Sequence, residues 1–178
     1  MRRLIFILLS VLFLAGGCKK NNGISDSGTV TISNELSGTG PYFAYGLSIV
    51  TGQKVSTLSS PKDVITILED HDINLNVRKL FFACENFENS FHRYGDYNDA
   101  TAAKTAFDNL KSFTVNTWEA TGDTVRANQI WLFRTSDEKY AKIRVVSTLT
   151  EKRDNMVFPY AECTIEWVYQ PDGTLLFP

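Results

Sequence analysis

The chain has 178 residues, 43% of them hydrophobic and 21% charged, and a formal net charge of −2, which suits one ordinary domain with enough apolar side chains to close a core. A mildly acidic balance with no basic run longer than Lys19-Lys20 excludes a nucleic-acid partner, because phosphate contact needs clustered lysine and arginine. G-x-S-x-G, H-E-x-x-H, P-loop and paired C-x-x-C motifs are all missing, and His71 and His92 are the two histidines, so the sequence nominates no catalytic residue and the protein is expected not to be an enzyme.

Arg2 and Arg3 open the chain, an apolar run from Leu4 to Leu14 follows, and Ala15, Gly16 and Gly17 lead into Cys18. That run is 11 residues long, whereas a helix crossing ~30 Å of hydrocarbon needs about 20. Charged, then apolar, then small is the order of a secretory signal peptide. The stretch LAGGC, Leu14 to Cys18, resembles the lipobox of bacterial lipoproteins. The resemblance implies cleavage between Gly17 and Cys18, lipidation of the Cys18 thiol and acylation of the new amino terminus, and hence a membrane partner in the bacterial cell envelope. Several acyl chains at ~0.8 kcal/mol per buried CH₂ hold where one chain would be marginal. Without residues 1–17 the chain keeps 161 residues and a charge of about −4. The expected organisation is a signal peptide over 1–17, the lipidated cysteine and a flexible tether over 18–28, and a single β-rich globular domain over 29–178. The tether reading rests on KKNNGISDSG, which has no aromatic residue and one aliphatic.

TVTIS, Thr29 to Ser33, alternates with Val30 and Ile32 on one face, the period of a half-buried strand. SGTGPY breaks the chain, and YFAYGLSIV with its turn TGQK reads as a hairpin closing with Val55. KDVITIL (Lys62 to Leu68) and INLNVRKLFFAC (Ile73 to Cys84) are further strands, separated by the acidic turn EDHD. In DYNDATAAKTAFDNLKSF the apolar residues Ala103, Ala106, Phe107, Leu110 and Phe113 fall at helical spacing, so a helix is expected over Asp99 to Ser112 with Asn98 or Asp99 as its cap. VNTWEAT, NQIWLFRT and YAKIRVVSTLT return to strands; in the last, Ala141, Ile143 and Val145 share one face and Lys142 and Arg144 the other. YAECTIEWVYQ places Ala161, Cys163, Ile165, Trp167 and Tyr169 inward and Glu162, Thr164 and Glu166 toward solvent, and PDG at 171–173 is a turn. The fold class is therefore α+β and strand-dominated, an antiparallel β-sheet domain with one main helix.

Cys84 and Cys163 both fall in expected strands. In an oxidising compartment they admit a disulfide, worth roughly 4 kcal/mol across so long a loop, or two free buried thiols acting as small hydrophobes. His71 lies among Glu69, Asp70 and Asp72; such a set suits a metal ion only if the side chains converge, and neighbours in an extended chain alternate sides. An exposed acidic turn is the expected reading. His92, between aromatics just before the helix, is read as a half-buried structural histidine with a ligand role as the alternative. Trp118, beside the turn ATGD, is expected to be partly exposed, where it could serve a sugar or porphyrin as a platform, whereas Trp131 and Trp167 suit strand core.

Taken in order, TVTIS, YFAYGLSIVTGQKV, FHRY, ANQIWLFRTSDEKYAKIRVV and CTIEWVYQPDG resemble the succession of elements in the HmuY-like lipoproteins of Bacteroidota. The resemblance implies a strand-dominated fold, an outer-membrane lipid anchor and, for some members, haem capture through two axial side chains. Two departures stand out: ENSF replaces the family's Trp-Asp before HRY, and a helix-forming run replaces long loops. The family's haem ligands map to no position here. Haem needs strong axial donors, and beyond Tyr94 the chain has no histidine and a single methionine, Met156. His92 and Met156 are thus the candidate donors if haem is bound at all, and the expectation is no cofactor. Function is expected to be that of a non-enzymatic binding lipoprotein of the cell envelope, working beside an outer-membrane transporter or another envelope protein. The alternative is a structural or interaction lipoprotein, such as an adhesin or pilus-associated subunit. An apolar pocket points to the first and an exposed flat strand edge to the second.

Overall fold

A computed structural model of the chain describes residues 26–59, 62–84, 88–154 and 157–178. Cys18 and Met156 lie outside the described residues. In chain order the elements are β1 (Ser27–Ser37), β2 (Phe43–Ser48), β3 (Gln53–Ser56), β4 (Val64–His71), β5 (Val77–Cys84), β6 (Phe91–Asp96), helix α1 (Ala100–Asn109), β7 (Gly122–Asp123), β8 (Gln129–Arg134), β9 (Tyr140–Glu151) and β10 (Tyr160–Gln170). The strands pair antiparallel in one sheet of order β6-β8-β9-β10-β1-β2-β4-β5-β7, with β3 on β2. Phe91 and Glu119 exchange backbone hydrogen bonds of 3.0 and 2.7 Å, drawing the two ends of the sheet together into a nearly closed barrel. Among the described residues no helix is long and apolar enough to cross a membrane.

The alternation read in β10 is the alternation observed: Ala161, Cys163, Ile165, Trp167 and Tyr169 are all buried. They join Ala141, Ile143 and Val145 of β9 with Phe82, Phe91, Trp131 and Phe133 in the barrel's core. A second cluster lies on the sheet's outer face. There Phe107 and Leu110 from the α1 region pack with Ile130 and Leu132 of β8, Phe113 and the returning Phe177.

The helix starts where the sequence placed its cap. Asp99 is extended, and its carboxylate accepts from the Ala102 N–H at 2.8 Å, satisfying one of the donors a helix leaves open. It ends earlier than expected, because Leu110 already turns to φ −71°, ψ 92°. Lys142 explains the stop. Its Nζ donates to the carbonyls of Phe107 at 2.8 Å and Leu110 at 3.0 Å, placing a cation where the helix dipole favours one. Lys142, which alternation places on the face opposite Ala141, Ile143 and Val145, is 2% exposed. Alternation separates the two faces of a strand without saying what covers each, and α1 covers this one.

Three boundaries shift. Glu69, Asp70 and His71 extend β4 rather than forming a turn, and His71 pairs with Val77. The reversal falls at 72–76 instead, where the Asp72 carboxylate accepts from the N–H of Asn74 (2.8 Å) and of Asn76 (2.9 Å) and from the Asn76 side chain (2.9 Å). Such Asx hydrogen bonding stabilises a turn, and it removes Ile73 to Asn76 from the expected strand. VNTWEAT contributes the Glu119 bridge, not a strand. At the other end β1 begins at Ser27, inside the expected tether, with Asp26 O accepting from Tyr169 N at 2.7 Å.

Strand direction gives the barrel two poles. The chain enters at Asp26, beside the end of β10, and β1 climbs away for 11 residues, roughly 35 Å at ~3.3 Å per residue. The β1–β2 (38–42) and β4–β5 (72–76) connections and the described parts of the β9–β10 connection (152–154 and 157–159) therefore gather at the far pole. Lys152 Nζ donates to Asn74 O at 2.7 Å across two of them.

Candidate functional site

His92 lies on β6 opposite Leu132, in a cleft of about 360 Å³ shared with Arg93, Glu119, Asp123, Thr124 and Trp131. Its Nδ1 is 3.1 Å from Thr117 O. A carbonyl only accepts, so Nδ1 carries the proton and Nε2 holds the lone pair of the neutral ring. Two of the cleft's charges, Asp123 and Arg93, are already engaged. Asp123 meets Lys79 at 2.9 Å, whose hydrogen bond holds the Asp123 carboxyl below the usual carboxylate range, and Arg93 lies 3.7 Å from Asp96. Trp131 is 1% exposed beneath it and donates its indole N–H to Gln129 at 3.1 Å. A porphyrin is a flat apolar macrocycle, and these charged walls do not match its faces.

Trp118 is half-buried and belongs to the second core. Tyr140 stacks on it at 6.0 Å and 27°, Arg134 sits over the ring at 5.1 Å, and Phe113 and His92 meet it edge-on at 6.4 and 6.3 Å. The indole is built into the protein's own packing and is not set out as a bare platform.

Neither Cys84 nor Cys163 is in a disulfide. Cys84 on β5 and Cys163 on β10 are separated in the sheet by β4, β2 and β1, and the disulfide the sequence admits is not formed. Burial pushes the Cys84 thiol up to about 11 and raises that of Cys163, so neither supplies a thiolate at neutral pH. His71 Nδ1 is 3.4 Å from Glu69 Oε1. Among the described residues no group of three or more His, Cys, Asp and Glu is placed to hold a metal ion.

A cleft of about 440 Å³ opens where the chain enters, between α1 and the start of β1, and includes Asp108, Lys111, Lys142 and Glu166. Its Asp108 and Glu166 carboxylates are matched by cations. Lys104 bridges Asp108 and Glu166, Arg144 meets Glu166 at 2.7 Å, and Lys142 caps the helix. Packing α1 onto the sheet accounts for this arrangement.

The far pole differs in character. A cleft of about 260 Å³ is lined by Leu36, Ala44, Leu68, Phe81 and Phe158, with Asn34 and Glu69 as its polar residues. Asn34, 4% exposed, is the knot. Its Nδ2 donates to Glu69 Oε2 at 2.5 Å and to Pro159 O at 2.8 Å, while its Oδ1 accepts from Ala161 N at 2.9 Å. One amide thus ties β1, β4, β10 and the β9–β10 loop together. The three connections at this pole each present a large apolar side chain: Tyr42 is 66% exposed, Ile73 95% and Val157 88%. Single exposed apolar residues are ordinary, but exposed apolar side chains on three connections of one pole, beside an apolar cleft, suit an interaction surface. Sequence reasoning missed this pole. The available signal was apolar residues inside turn segments, DINLN and NMVFP, where they add nothing to a strand face.

Neither a protein-family model nor a curated protein matches the chain.

Proposed function

We propose that the protein is a lipid-anchored lipoprotein of the bacterial cell envelope and a non-enzymatic binding module of HmuY-like fold, with the far pole as its working surface. The observation that carries this reading is that three connections with exposed apolar side chains, Tyr42, Ile73 and Val157, and an apolar cleft lie toward the end of the barrel opposite Asp26. An anchor at Cys18 attaches at the near end. The chain from Cys18 to Asp26 spans 8 peptide steps, at most about 29 Å when fully extended. That is shorter than β1, so the domain cannot stand upright on its far pole at the bilayer, and the apolar tips are held out for a partner. Haem is not the ligand this reading carries, given the charged walls around His92. A purely structural role by strand addition has little to work with: β3 is four residues and β7 two, and β6, at the other end of the sheet, is six with Phe91 already bridged to Glu119, and short edges discourage pairing with another chain.

The test is site-specific photo-crosslinking in cell envelopes, with the reactive residue at Ile73 or, as a near-side control, at Leu175. Discrete adducts from Ile73 and none from Leu175 are expected. Equal labelling from both positions, or none from Ile73, overturns the reading.

A further inference from the structure

We infer that the far-pole cleft binds a small organic cation, an ammonium or guanidinium head carried on an apolar body, with the head directed at Glu69; this rests on the functional reading above and names its ligand class. Charge complementarity is the argument. The walls are Leu36, Ala44, Leu68, Phe81 and Phe158, which favour an apolar body of matching size. Set into them is the Glu69 carboxylate, whose side chain is 8% exposed. Removing a carboxylate from water costs several kcal/mol unless a counter-charge and hydrogen bonds replace its hydration. Glu69 has the Asn34 amide at 2.5 Å on Oε2, and His71 stands 3.4 Å from Oε1, beyond good hydrogen-bond length. Among the described residues no lysine or arginine forms an ion pair with it.

The nearby cations are committed elsewhere. Arg153 pairs with Glu151 and Glu35 and lies over the Tyr160 ring, and Lys152 bonds Asn74 O. A carboxylate offers about four lone-pair directions, so acceptor capacity remains on the cleft side. Phe81 and Phe158 add aromatic surface that attracts cations. The same carboxylate excludes anions: fatty acids, phosphates and propionate-bearing ligands would set like charges together in a poorly solvated site. The volume of about 260 Å³ equals roughly eight or nine water molecules at ~30 Å³ each, the size of an arylalkylamine rather than of a macrocycle.

The experiment is an amide NMR titration of the full chain in nanodiscs of zwitterionic lipid. The probes are 2-phenylethylammonium and its anionic counterpart 3-phenylpropionate. Saturable shifts at Leu36, Leu68, Glu69 and Phe81 with the ammonium, at least tenfold weaker with the carboxylate, are expected. Glu69→Gln keeps an acceptor for Asn34 and should weaken ammonium binding at least tenfold. Leu68→Lys, at a residue 38% exposed, places a competing cation at the rim and should do the same if Glu69→Gln fails to fold. Equal binding of both probes, undiminished affinity in a folded variant, or shifts confined to other residues overturns the inference. Adducts from Ile73 without ammonium binding would reject the ligand class and leave the binding pole standing, whereas loss of both rejects both.

Discussion

Asn34→Ala is the substitution whose cost follows most directly from the structure. Asn34 is 4% exposed and makes three hydrogen bonds, to Glu69 Oε2, Pro159 O and Ala161 N. Alanine removes all three and leaves a buried backbone carbonyl, a buried backbone N–H and a poorly hydrated carboxylate short of a donor. Each orphaned group costs about 1–3 kcal/mol, and part is recovered where the small cavity admits water. A net loss of about 3–4 kcal/mol is therefore expected, a large share of the stability of a domain this size. Urea unfolding followed by tryptophan fluorescence measures it, with an unchanged m-value confirming that the unfolded state is the same. Asn34→Asp sharpens the test by setting a second carboxylate against Glu69. Like charges raise the folded-state carboxyl pKa, so stability is lost as pH rises through about 4 to 6 and recovered on acidification. A loss under about 1 kcal/mol for Asn34→Ala, or no acid recovery for Asn34→Asp, would refute the description of this residue as the knot of the far pole.

Lys142→Met keeps the buried stem but strips two helix-end carbonyls of their donor. Burial depresses the Lys142 pKa, so the charge itself is a liability the variant sheds, and a net loss of about 2 kcal/mol with faster amide exchange in α1 is expected; a variant as stable as the parent contradicts the capping account. Because that depressed folded pKa makes the unfolded state the stronger proton binder, the parent should gain stability over the variant as pH rises toward 10. Asp72 is held below the usual carboxylate range, first by the Asn76 side chain and then by backbone N–H groups. Its contribution is present above the unfolded carboxyl pKa and fades as pH falls through the folded one, and a carbon-detected titration that finds Asp72 at or above the ordinary value contradicts the turn geometry. Intact-mass counting in denaturant without reductant should find Cys84 and Cys163 both alkylated, and neither labelled rapidly in the native state; a pair resistant to alkylation until reduced would show a bridge.

Periodicity carried most of the fold. The inward row of β10 and that of β9 appear as written, because a period of two states which residues share a face. It does not say whether the opposite face meets water or a helix, so the burial of Lys142 beneath α1 was not legible. Acidic composition suggested a turn at EDHD, yet pairing with Val77 drew His71 into the strand, and the Asx bonds of Asp72 set the reversal further on. The candidate site was hardly legible. His92 is anchored by a carbonyl and Trp118 by its neighbours, whereas the far pole assembles from residues more than a hundred positions apart. Its membership depends on which loops strand direction brings to one end, and no local pattern records that.

Polarity, with the anchor at one end and recognition at the other, is tested by the distance of each pole from the bilayer. Fluorophores attached at Ile73→Cys or Leu175→Cys of the lipidated protein in vesicles would be compared for quenching by brominated lipid, Cys163 being buried, Cys84 partly buried, and both thiols raised well above neutral pH and slow to react. The account predicts strong position dependence, with Ile73 unquenched and Leu175 closer to the lipid. Quenching of Ile73 by bromines in the acyl region would mean that the apolar tips enter the membrane, and the far pole would then be a second anchor in place of a binding surface.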